Sequence, residues 1–131
     1  PETFDVGGLK RTLMALHDTP NDDVYVPLFD RTIEISRGSA RAITPNHKII
    51  LVEGNYLLLD QSPWDQLHGL FDLSIYLDVP EDTLRARLIA RWRSFGFDDA
   101  TATHKATSND LPNAQTVIRG TGKADIRVRI S

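Results

Sequence analysis

Cysteine is absent from this sequence. Disulfides, thiolate metal sites and cysteine nucleophiles are thereby excluded. Aromatic residues make up only 8% and are scattered, as core-filling side chains are and a base-stacking platform is not. An excess of positive charge is lacking too. The formal balance is −3, so the chain carries no global electrostatic footprint for nucleic acid. No apolar run reaches the length of a membrane span and no secretory signal opens the chain, so the expected compartment is the cytoplasm. Only one methionine occurs, Met14, while the chain begins at Pro1. We expect the sequence to represent part of a longer protein.

What is present suits a folded domain. The 131 residues are 40% hydrophobic, enough for a core, and residues 1–131 read as one domain without repeats or low-complexity tracts. Thr3 and Asp5 are candidate N-caps. Val6, Leu9, Leu13 and Leu16 then recur at helical spacing to about His17, with Gly7 and Gly8 weakening the first turn. Residues 18–22 form a loop. Val24–Phe29 reads as a strand, which Pro27 assigns to an edge, and Thr32–Ser36 alternates as a second strand would. Ile49–Val52 is an unbroken apolar run, as in a strand covered on both faces. Ser62, with Pro63 after it, starts a short helix. Leu73–Val79 reads as a second buried strand. Pro80 and Glu81 open a helix to about Phe95, stopped by Gly96. Asp98–Asn113 is polar and loop-like, with a helical turn as the alternative within it. Gln115–Arg119 and Asp125–Ile130 read as two last strands, turned by Gly120 and Gly122. Buried strands separated by helices predict an α/β layered fold with a mainly parallel sheet, Ile49–Val52 and Leu73–Val79 being neighbours in it.

Two places carry chemistry. Glu53 follows Ile49–Val52 directly and precedes Gly54. In open α/β sheets ligands bind beyond the carboxyl ends of strands, and phosphate-bound magnesium takes a carboxylate oxygen there, often through water. The alternative is a surface glutamate that ends a strand. In the helix after Pro80, Leu84, Leu88, Trp92 and Phe95 form the apolar stripe, and Arg87 and Arg91 share one flank of it. Guanidinium groups four residues apart suit a bidentate phosphate clamp. A basic face that snorkels or pairs with acids is the alternative. Arg85 and Arg93 lie further round and are expected to be solvated.

Other features point away from sites. Gly120-Thr121-Gly122-Lys123 is not a P-loop: Val117 stands where the first glycine belongs, Ala124 follows the lysine, and a strand is expected next, not a helix. His17, His47, His68 and His104 lack metal-ligand spacing. Ser36 and Ser39 lack the strand-turn-helix setting of a nucleophile elbow.

Several strings in a fixed order resemble one family. Pro1-Glu2-Thr3-Phe4-Asp5, Pro27-Leu28-Phe29-Asp30-Arg31, residues 52–59 (Val-Glu-Gly-Asn-Tyr-Leu-Leu-Leu), residues 70–77 and residues 87–92 together resemble the uridine kinase, phosphoribulokinase and pantothenate kinase family of P-loop kinases. The likeness is strongest to its bacterial nucleoside- or sugar-kinase-like branch, some members of which are named as fructose-transport-associated kinases. It covers nearly the whole chain. It implies a P-loop NTPase-like fold, ATP and Mg2+ as cofactors, and a small-molecule hydroxyl acceptor, with no nucleic-acid or membrane partner. By the resemblance, Asp5 binds an acceptor hydroxyl pair, and Phe29, Asp30 and Arg31 line the acceptor pocket. Glu34 falls near a base-reading histidine of uridine kinases, a departure that counts against uridine. Glu53 is the acidic residue near magnesium. Arg87 and Arg91 belong to a lid helix that closes over the triphosphate. Asn109-Asp110-Leu111-Pro112-Asn113 is a hallmark of the branch, and Asn109 and Asn113 are its candidates for cofactor contact.

The same resemblance implies two parts not found in the chain, the P-loop and an aspartate base, so the chain alone is expected not to catalyse. The resulting expectation is an ATP-dependent small-molecule kinase. Rival readings are a nucleotide-binding regulatory module that kept the fold, and a nucleoside triphosphatase that needs no acceptor.

Overall fold

The computed structural model describes residues 4–130; the Thr3 cap and the first residues of the Pro1–Asp5 string lie outside them. The chain's contacts separate into two compact units, Pro1–Glu53 and Gly54–Ser131.

In the first unit, α1 spans Val6–Asp18. Asp5 caps it: the carboxylate Oδ1 accepts from the Gly8 amide at 2.7 Å, which satisfies one of the free N–H groups of the first turn. A Cβ at position 8 would run into that carboxylate. Gly8 therefore costs helix propensity and in return makes the cap possible. Val6 and Leu13 are buried, as the helical spacing requires.

Strands β1 (Val24–Asp30) and β2 (Ile35–Ile43) form an antiparallel hairpin. The register shifts between Val26 and Leu28, at Pro27, which has no N–H to give to a ladder. The second strand was expected over Thr32–Ser36 and starts instead at Ile35. The reason is local: Asp30 Oδ1 accepts from the Thr32 amide at 3.1 Å, and Glu34 takes a positive φ of 51°. Residues 31–34 are therefore the turn.

The expected buried strand Ile49–Val52 is not observed. Residues 47–54 have no strand assignment, and Ile49 and Leu51 are 88% and 89% exposed. An apolar run becomes a strand only where a neighbour takes up its N–H and C=O groups, and no described residue pairs with this one.

The second unit is built on Leu59, Leu67, Trp64, Tyr56, Ala102, Ala106 and Leu111, all buried. Tyr56 and Trp64 meet with ring centroids 5.5 Å apart. The helix expected to start at Ser62 is a 3-10 segment over Trp64–Leu70, with no side-chain cap, behind a cis Ser62–Pro63 bond. Strands β3 (Ile75–Asp78) and β4 (Ile126–Arg129) pair in parallel, joined through α2 (Glu81–Ser94), α3 (Asp99–Lys105), a π turn (Ala106–Asp110) and α4 (Leu111–Gly120). A parallel pair needs such a crossover. The chain is thus α/β with a parallel pair of strands. β3 pairs with β4, not with residues 49–52, and it is less buried than its apolar run suggests, Ile75 and Leu77 being exposed. α2 ends at Ser94 with Phe95 as its cap, and Gly96 follows with a φ of 88°, as expected of a glycine stop.

The largest correction lies between Asp98 and Gly120. The expected loop and the expected strand Gln115–Arg119 are both helical. Asp98 caps the run, accepting from the Thr101 amide at 2.9 Å and the Thr101 hydroxyl at 3.1 Å. The threonines, which read as loop residues, return their hydroxyls to carbonyls four residues back: Thr107 to Thr103 at 2.9 Å and Thr116 to Pro112 at 3.0 Å. The hairpin turn expected at Gly120 and Gly122 is likewise absent. Gly120 closes α4, Asp60 N donates to Gly120 O at 2.8 Å, and Gly122 N donates to Leu58 O at 2.8 Å. A Cβ at position 120 would lie 3.0 Å from Leu59 Cδ2, so this glycine serves close approach.

β3 and β4 are clamped at their starts. Asp125 Oδ2 accepts from the Ser74 hydroxyl at 2.6 Å and the Ser74 amide at 2.8 Å, while Ser74 Oγ accepts from Asp125 N at 3.0 Å. The Ser74 side chain, then its amide, holds the Asp125 carboxyl below the usual aspartate value. A depressed carboxyl contributes stability above its unfolded pKa and loses it as pH falls through the folded one. The Ile126 amide, bonded to Ser74 O at 3.0 Å, is therefore expected to lose hydrogen-exchange protection on acidification below the ordinary aspartate range. Asp125→Ala should lower that protection at neutral pH as well. Unchanged exchange at Ile126 in the variant would show that the clamp does not hold the strands.

Candidate functional site

The residues expected to act fall in both units. In the first, Asp5 is exposed and spends one carboxylate oxygen on the α1 cap. Phe29 and Arg31 are brought together at the hairpin turn, the Arg31 guanidinium carbon lying 5.0 Å from the Phe29 ring centroid. Asp30 pairs with Arg37 at 3.7 Å. Glu34 is exposed in the turn. Glu53 is exposed and follows an unpaired segment, not a strand end, so the expected strand-end setting is corrected. A cleft of about 240 Å³ in this unit is lined by Leu16, Asp22, Thr44, His47 and Lys48 among others, and by none of the expected site residues.

In the second unit, α2 carries Arg87 and Arg91 one turn apart, both exposed. The helix has its acids, Glu81 and Asp82, in the first turn and Arg91 and Arg93 in the last, in accord with its dipole. Arg91 is drawn into a cluster. Its Nη2 lies 3.3 Å from Asp110 Oδ2, and the Trp92 indole Nε1 donates to the same oxygen at 2.7 Å. Asn109 Nδ2 reaches Asp110 Oδ1 at 3.4 Å, so Arg91 and Asn109 share one carboxylate. The Trp92 ring is flanked by the Arg91 guanidinium at 5.6 Å and the Lys105 ammonium at 4.8 Å. Lys105 also lies 4.8 Å from the Phe97 ring, and Phe95 and Phe97 meet Trp92 edge-on at 5.8 and 5.6 Å. Asn113 stands in α4. Arg93 turns the other way, pairing with Asp99 at 2.8 Å between exposed groups.

Sequence reasoning did not single out Asp110, Trp92 or Lys105 for this cluster. The i+1 step from Arg91 to Trp92 hides their common partner, and Asp110 reaches it only because the segment read as a loop is a helix. Among the described residues no three acidic or histidine side chains cluster as a metal site.

No protein-family model matches the chain, but individual proteins do. It is 33% identical over 122 residues to an ATP-dependent kinase-like protein of Aspergillus versicolor, covering 89% of this chain and 71% of that protein. The chain belongs to the P-loop kinase family. It is also 32% identical over its full length to the protein YggC of Escherichia coli, spanning 53% of it. Among solved structures, a "putative fructose transport system kinase" from Silicibacter aligns with a TM-score of 0.87 at 39% identity, over 97% of this chain and 61% of that one. The chain thus spans about half to seven-tenths of the length of these relatives, and its fold is that of a P-loop NTPase. Gly120-Thr121-Gly122-Lys123 is not the family's phosphate loop: a helix precedes it and β4 follows, the reverse of the strand-loop-helix order.

Proposed function

We propose that the full-length protein transfers the γ-phosphoryl group of ATP to a hydroxyl of a small metabolite such as a nucleoside, a sugar or a pantothenate-like compound. The observation that carries this reading is Arg91, set in the last turn of α2 and held at a carboxylate while still 53% exposed, in a chain whose relatives include proteins named as ATP-dependent kinases. Phosphoryl transfer asks a protein mainly to position reactants and neutralise developing charge, and exposed guanidinium forks suit the second task.

In this reading Arg87 and Arg91 close over the triphosphate, Asn109 and Asn113 contact the nucleotide, and Asp5, Phe29, Arg31 and Glu34 meet the acceptor. One Asp5 carboxylate oxygen caps α1, and the other is the one that would meet the acceptor. Magnesium bound to ATP needs only one or two protein carboxylates, with phosphates and water supplying its other ligands. The exposed carboxylate of Glu53 fits that requirement. The ion would supply charge neutralisation at the phosphates.

A panel of nucleosides, sugars and pantothenate-like alcohols, screened for ADP release by the full-length protein, tests the proposal. ADP release that rises with one acceptor class supports a kinase. ADP release at the same rate with and without every acceptor identifies a triphosphatase.

A further inference from the structure

The helical run from Asp99 to Gly120 is regular except at one place. Over Ala106–Asp110 it widens to a π turn, and the Leu111 amide donates to Ala106 O, five residues back. Pro112 follows at the start of α4. A proline ring clashes with the carbonyl four residues before it and has no N–H to donate, so a widened turn just ahead of Pro112 relieves both problems. The extra residue has a geometric consequence. Each residue turns an α-helix by roughly 100°, so inserting one rotates all that precedes it relative to all that follows. Asp110 ends the widened turn and faces α2.

There its side chain, 13% exposed, accepts from the Trp92 indole at 2.7 Å and from Arg91 Nη2 at 3.3 Å through the same oxygen. The indole bond is the shorter and better shielded of the two, so it sets where the carboxylate sits. The arginine then aligns on a carboxylate already in place, with its guanidinium carbon 5.6 Å from the Trp92 ring centroid. Asp110 engages Nη2, and the remaining N–H groups of the guanidinium fork stay available to an incoming anion. Lys105, over the Trp92 and Phe97 rings, keeps the cluster cationic overall: Arg91 and Lys105 carry two positive charges against one carboxylate.

We propose that Asp110 is a positioning residue for phosphoryl transfer, holding the Arg91 guanidinium through a carboxylate that the π turn and the Trp92 indole set in place. The proposal rests on the reading of Arg91 as the group that meets the transferring phosphoryl. Pre-alignment of that group lowers the cost of organising it in the transition state, so loss of Asp110 acts on kcat more than on KM for ATP.

A double-mutant cycle in the full-length protein tests it, with folding monitored by thermal unfolding. Asp110→Ala is expected to lower kcat by roughly 10- to 100-fold, as misplacement of a catalytic group can, with a smaller change in KM. Trp92→Phe, which keeps a ring but removes the indole donor, is expected to produce part of the same loss. In an Arg91→Ala background, Asp110→Ala should cost nothing further, because the group it serves is gone. Should Asp110→Ala not fold, Asp110→Asn enters the same cycle, since it keeps an oxygen acceptor and loses the charge. A full, additive loss from Asp110→Ala in the Arg91→Ala background overturns the proposal and makes Asp110 a structural residue. A large loss from Arg91→Ala with none from Asp110→Ala overturns the proposal while leaving the role of Arg91 standing. No loss from Arg91→Ala removes the underlying reading itself.

Discussion

Arg91→Ala in the full-length protein is expected to lower kcat by roughly 10²-fold or more, the scale on which removal of one electrostatic stabiliser acts. The change in ATP affinity should be smaller, because in the proposed role the guanidinium matters most when charge develops on the transferring phosphoryl. Arg91→Lys should recover only part of the loss. An ammonium is a point charge and cannot present the planar fork to both Asp110 and a phosphate. Arg93→Ala is the internal control. It removes an exposed ion pair with Asp99, and exposed pairs contribute little, so kcat and stability should stay close to those of the unmodified protein. Steady-state kinetics on the three variants decides the matter. Equal and mild effects at positions 91 and 93 would leave α2 a solvated basic helix with no part in the reaction.

Glu53→Gln is expected to weaken magnesium-dependent transfer by roughly 10²-fold, as loss of a charged ligand group in a phosphoryl-transfer site can. It should also shift the magnesium requirement to higher concentration. The fold should be nearly unaffected, because the side chain is exposed and the substitution preserves its shape. Activity titrated against magnesium, alongside a thermal melt, separates these effects. Unchanged activity at every magnesium concentration would make Glu53 a surface residue and nothing more.

Sequence and structure agree where one segment decides its own state. α1 follows from the spacing of Val6, Leu9, Leu13 and Leu16 and from the Asp5 cap. α2 follows from Pro80 before it and the Gly96 stop; of its expected apolar stripe, Leu84, Leu88 and Trp92 are only half-buried and Phe95 lies past the helix end, exposed. The β1 strand follows from its run Val24–Phe29, while Pro27, read only as a sign of an edge, also shifts the register because it cannot donate to a ladder. Agreement ends where a segment depends on a partner. Ile49–Val52 has the composition of a central strand, and composition alone does not supply neighbours for its backbone. Residues 98–120 failed for the opposite reason. Their helix is held by a cap at Asp98, small buried residues at Ala102 and Ala106, and threonines bonded back to the helix, none of which yields an apolar stripe. Val117 and Ile118 then read as strand although Pro112 begins their helix. The same misreading hid the contact at Asp110: the place of Arg91 on α2 was legible, while its Asp110 partner became visible only once the helix around it was in place.

The central claim is that the γ-phosphoryl group goes to a small-molecule hydroxyl. Its most direct test is to follow a γ-labelled ATP phosphate in the full-length protein with the acceptor that stimulates ADP release. The account predicts that the label appears in an acceptor phosphate ester in proportion to ADP formed, and that Arg91→Ala reduces both together. Label recovered only as inorganic phosphate, whatever the acceptor, would contradict it.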